Sequence, residues 1–161
     1  MEAEVEQGGA EEDRRVENQS DPQQPRARVR CGGVKWAEEE HVSLRTITAT
    51  KPDQFIPSIS RAIGLAPHLI ISAGNDLIDP LAQVTPNHLD QQFLVVGAEL
   101  AEPTANVTAT DWNGASFRGE GLGMSSTYDA STFTPERARR AVRAGAAAVL
   151  NGLTGIVIWL D

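Results

Sequence analysis

Ser72-Ala73-Gly74-Asn75-Asp76 packs a hydroxyl, an amide and a carboxylate into five residues, at the end of the apolar run His68–Ala73. Glu99 follows a second apolar run, Gln92–Ala98, and Asp111 and Trp112 close a short extended run that begins at Asn106. Carboxylates and an amide can hold hydroxyls, and an indole can stack on a ring. Ser72, Gly74, Asn75, Asp76, Glu99 and Trp112 are therefore the expected ligand-binding residues. They form no basic nest for a phosphate, so a small neutral polar molecule fits them best. No catalytic residue, metal ligand or cofactor is expected. His41, His68 and His88 are scattered, without paired ligands at metal spacing. Gly119-Glu120-Gly121-Leu122-Gly123 misses the dinucleotide pattern, because Met124 stands where the third glycine belongs.

Those residues could converge only if the runs before them were parallel strands. Both runs are continuously apolar, as strands buried on two faces are. The spacing predicts further strands over Val42–Thr50, Asn106–Asp111 and Thr154–Leu160. It predicts helices from Asp53 to Gly64 (with Pro57 in the first turn), from about Leu77 to Val84, and from Thr134-Pro135 to Gly152. Residues 113–133 read mostly as loop. The fold class expected is α/β: a parallel or mostly parallel sheet with helices on both faces, its ligand at the carboxyl edge of the strands. Ile70, Ile71, Leu94, Val95, Val96, Ile156 and Ile158 are the expected core.

Charge is unevenly spread. Residues 1–25 hold eight acids and two bases, a net of −6 out of the chain's −8, so the rest is nearly neutral. That balance argues against nucleic acid as a partner. Residues 1–33 are polar with no apolar period and are expected to be a disordered acidic tail, leaving 34–161 as one α/β domain. Arg26, Arg28 and Arg30 belong to that tail as a solvated cluster, and Arg137, Arg139, Arg140 and Arg143 read as a solvated helix face. Only one cysteine, Cys31, is present, and no transmembrane span or signal peptide is read.

Three resemblances follow from these motifs. Gly74-Asn75-Asp76-Leu77 resembles a block of SGNH hydrolases in which the Asn serves an oxyanion, but no Gly-Asp-Ser accompanies it. Ala73-Gly74-Asn75, Val95-Val96-Gly97-Ala98 and Ala144–Ala148 resemble subtilase segments. Their alignment puts Arg137 at the nucleophile position, and without a nucleophile and a base there is no triad. The longest resemblance, over about residues 42–120, is to the basic membrane protein type of ABC-transporter substrate-binding protein, the nucleoside-binding lipoproteins. Leu69–Gly74, His88–Val96, Ala105-Asn106-Val107-Thr108 and Gly114-Ala115-Ser116-Phe117 carry it. This likeness implies a periplasmic-binding-protein-like single lobe, a nucleoside or sugar as ligand, no catalysis, and a cell-envelope setting. The family has two lobes and about twice this length, so the likeness implies a single-lobe or truncated relative, in which a ligand held between two lobes would need a partner chain as the other wall. An accessory subunit without a ligand and a degenerate hydrolase are the alternatives.

Overall fold

Strands β3 (Ile70–Ala73), β4 (Phe93–Val96), β5 (Val107–Trp112) and β6 (Val157–Leu160) form a four-stranded sheet in sequence order. Every pairing in it is parallel. This is a computed structural model that describes residues 4–5, 24–115 and 126–161. A second, two-residue pairing joins β1 (Glu4–Val5) to β2 (Thr46–Ile47). The α/β class expected from the sequence is the one observed.

Alternate residues of the apolar runs feed two separate cores. Ile70, Phe93, Val95, Val107 and Ala109 pack toward α2 (Pro52–Gly64) and α3 (Ile78–Val84), which contribute Ile59, Ala62, Ile78 and Leu81. Ile71, Leu94 and Val96 pack toward α1 (Pro25–Glu39) and α4 (Pro135–Leu150), which contribute Val29, Trp36, Ala138, Val142 and Ala146. Burying each large apolar side chain contributes about 1.5–3 kcal/mol. A strand with an apolar core on both sides has no polar phase, which is why these runs do not alternate.

Several elements depart from expectation. Residues 25–33 are helical, as the first part of α1, and so belong to the folded unit. Glu4–Val5 is paired as well, and the remainder of 1–23 lies outside the described residues. The buried stripe of α1 is Val29, Gly32, Gly33, Trp36 and Ala37. Two of its members are glycines that suggest a loop in sequence but here allow a close helix approach. A Cβ on Gly32 would lie 2.6 Å from the Arg139 nitrogen and 2.7 Å from Ala138 Cβ. The predicted strand Val42–Thr50 shrinks to Thr46–Ile47. Its first residues instead end α1, with His41 at φ 54° and the Val42 N–H donating to the Ala37 carbonyl. Helix α2 starts at Pro52, so Pro57 lies inside it rather than in its first turn. Ile156 is 41% exposed and Ile158 half-buried, because β6 is the sheet edge and has a neighbour on one side only.

Arg139 and Arg143 of α4 are tied down rather than simply solvated, whereas Arg140 is exposed as expected. Arg139 pairs with Glu39 at 3.0 Å and with Glu136, and Arg143 pairs with Glu39 and Glu40 of the α1 end. The Arg139 guanidinium is consequently held further into its charged form. No helix among the described residues is long and apolar enough to cross a membrane.

Candidate ligand-binding cleft

Parallel strands deliver their following loops to one edge. At three consecutive strand ends the backbone turns through a glycine with positive φ: Gly74 after β3 (108°), Gly97 after β4 (73°) and Gly114 after β5 (101°). Only glycine enters that region without strain. Two of these turns are covered. A Cβ on Gly97 would fall 2.5 Å from Phe133 Cε1, and one on Gly114 would fall 2.6 Å from Thr132 Cγ2. The covering strap, residues 126–134, closes the edge over β4 and β5 and leaves the end of β3 open.

A cleft of about 280 Å³ remains there. Its floor is Val96 and the turn Gly74-Asn75-Asp76. One wall is the start of α1, with Gln24, Pro25, Arg26 and Val29, and the other is Tyr128 and Phe133. Asn75 and Asp76 open a 3₁₀ turn that leads into α3. Gly74 and its neighbours therefore project into space that the sheet leaves vacant. Asp76 is exposed and Asn75 half-buried. Burial raises the pKa of the Tyr128 phenol, so it stays protonated at neutral pH and can both donate and accept. Arg26 and Asp76 bring opposite charges to a surface that is otherwise amide, phenol and apolar carbon.

Of the six expected site residues, Gly74, Asn75 and Asp76 come together in this cleft. Ser72 lies within β3, buried, and its hydroxyl has no hydrogen-bond partner among the described residues. Glu99 is buried beyond β4 and is not part of the cleft lining. Trp112 is 1% exposed, and its indole N–H donates to Thr132 Oγ1 at 3.0 Å. Its ring packs edge-on against Phe133 with centroids 4.9 Å apart, so it has no face left for a ligand. Sequence reasoning missed the α1 wall and the aromatic pair Tyr128 and Phe133, whose rings lie 5.9 Å apart. The only signal for that pair was two aromatics in an otherwise polar loop. Arg28 is no part of a free basic cluster: it donates to the Phe133 carbonyl at 2.9 Å. The segment Gly119–Gly123 lies outside the described residues.

The histidines are remote from this edge. His68 precedes β3 and His88 precedes β4, so both sit at the amino edge, where the His88 carbonyl accepts from Asn106 at 2.8 Å. His41 follows the far end of α1 from the cleft. No group of metal-binding side chains occurs among the described residues.

The fold is that of a periplasmic-binding-protein-like lobe: an open parallel sheet with helices on both faces and a cleft at its carboxyl edge. Among solved structures, a similar one is that of ABC transporter system solute-binding proteins from Aeropyrum pernix K1. Identity is 20%, the TM-score is 0.50, and the match covers 58% of this chain and 26% of that one. The chain thus spans about a quarter of the length of the protein it matches, and the likeness is one of fold. No protein-family model matches the chain, and no curated protein does.

Proposed function

We propose that this chain is a non-catalytic solute-binding lobe of the ABC-transporter type, similar to the nucleoside-binding basic membrane proteins. Its ligand is a small neutral hydroxylated molecule, a nucleoside or a sugar, held by Asn75 and Asp76 at the end of β3. The observation that carries this reading is the convergence of Gly74, Asn75 and Asp76 with the start of α1 and Tyr128 around one 280 Å³ cleft. That volume lies at the lower limit of small-molecule sites, which span roughly 300–1,000 Å³. A single nucleoside or monosaccharide suits it, and a dinucleotide is too large. The fold likeness to solute-binding proteins supports the same class. One lobe offers one side of a pocket, so a second lobe, of the same protein or of a partner chain, is proposed to cover a cleft that already binds solute weakly by itself.

A thermal-shift screen against nucleosides and monosaccharides tests the reading. A ligand at a hundred times its Kd adds about 2.7 kcal/mol. For a domain of this size that raises Tm by about 5 °C or more. A second reading, an accessory subunit without a ligand, is favoured by the exposed apolar side chains of Leu150, Leu153, Val157 and Trp159 at the β6 edge. A screen without a single shift supports it over the first.

A further inference from the structure

The two walls of the cleft come from segments a hundred residues apart, and Arg28 joins them. Arg28 stands on α1 between Arg26 and Val29 of the first wall. Its Nη1 donates across to the Phe133 carbonyl at 2.9 Å and lies 3.5 Å from that of Ala130. Both carbonyls belong to the strap that carries Tyr128 and Phe133, the second wall. The strap is anchored independently at its far side. The Gly114 N–H donates to Ser126 Oγ at 2.9 Å, Thr132 Oγ1 accepts from Trp112, and Arg137 Nη1 donates to the Thr132 carbonyl at 3.2 Å. Those anchors fix the strap to β5 and α4 but not to α1. The two carbonyls flank a 3₁₀ turn, Ala130 opening it and Phe133 closing it, so one guanidinium holds both of its ends.

We propose that Arg28 is the positioning residue of the cleft: it clasps the strap to α1 and so sets the distance between the wall that bears Arg26 and the wall that bears Tyr128. The proposal rests on the solute-binding reading for its effect on affinity. Its effect on wall position stands without a ligand. Removing the clasp loosens the strap on the α1 side while the packing of Phe133 with Val29 is kept, so Tyr128, already 39% exposed, gains further solvent.

Tyr128 is the only tyrosine in the chain and reports on the wall directly. The test is the rate of Tyr128 nitration by tetranitromethane, read by nitrotyrosine absorbance, in the full chain and in Arg28→Met and Arg28→Lys. The same proteins are titrated calorimetrically with uridine, adenosine and glucose. Arg28→Met is expected to raise the nitration rate at least threefold and to weaken whichever probe binds by about tenfold. Arg28→Lys, which keeps a cationic donor, is expected to restore most of both. If Arg28→Met does not fold, Arg28→Gln, too short to reach the carbonyls, replaces it. Nitration unchanged in the Met or Gln variant overturns the clasp, whatever binds. Faster nitration with unchanged affinity overturns its role in binding. Absence of binding by the parent chain overturns the solute reading, and nitration still decides the clasp.

Discussion

Gly97 lies directly beneath the ring of Phe133. A Cβ at that position would sit 2.5 Å from Phe133 Cε1 and 2.9 Å from Trp112 Cη2. Both rings are buried and packed against each other, so neither can give way cheaply. The backbone at Gly97 also has φ 73°. Gly97→Ala is therefore expected to cost about 1–3 kcal/mol from overpacking alone. It should displace the Phe133 wall of the cleft as well. Urea unfolding measures the first effect, and the nitration rate of Tyr128 the second.

Asn106 ties together the opposite edge of the sheet. Its side-chain amide donates to the carbonyls of Thr85, His88 and Gln91, at 3.2, 2.8 and 3.0 Å, and its oxygen accepts from Thr104 at 2.6 Å. It is buried, so these carbonyls have little access to water. Asn106→Ala is expected to cost about 3 kcal/mol, because leaving buried polar groups unpaired costs about 1–3 kcal/mol each. Solute affinity, set at the far edge, should not change. Denaturant midpoints and calorimetry together check this.

Helix α1 is integral to the fold. Trp36 is buried against the α4 core, and Trp36→Ala is expected to cost about 3–5 kcal/mol. Deletion of residues 1–33, which removes more than half of α1, should lower Tm by many degrees. A Tm unchanged by that deletion would show that the helix does not hold the second core together.

Tyr128 should titrate above 10, since burial opposes its ionisation. In the unfolded chain it ionises near 10. Its contribution to stability is thus intact below pH 10 and is lost as pH rises from there through the higher folded value. Spectrophotometric titration of the single tyrosine gives the folded value. A value at or below 10 would place the ring in open solvent.

Which parts of this molecule were legible in the sequence has a physical explanation. Strands β3 and β4 are buried on both faces, and a short continuous apolar run such as Phe93–Val96, bounded by turn residues, is how such a strand reads. The turn Gly74–Asp76 was legible because its residue types are wrong for the core and right for a strand end. Trp112 misled, since an indole at a strand end looks the same whether it meets a ligand or the ring of Phe133. Helix α1 was hidden because its contact stripe is partly glycine. The spacing of Val29, Gly32, Gly33, Trp36 and Ala37 carries the helical period only if Gly32 and Gly33 are counted as contacts. The Arg28 bridge to Phe133 spans a hundred residues, and no local pattern encodes it.

Calorimetry on the parent chain and on Asp76→Ala decides whether Asp76 and Asn75 hold a neutral hydroxylated solute. At least one nucleoside or sugar is expected to bind the parent chain. The substitution is expected to weaken binding by about 1.5–3 kcal/mol, the worth of a hydrogen bond to a charged group, or roughly ten- to a hundredfold in Kd. Binding of equal strength in both proteins, or no binding to the parent chain, would contradict that reading.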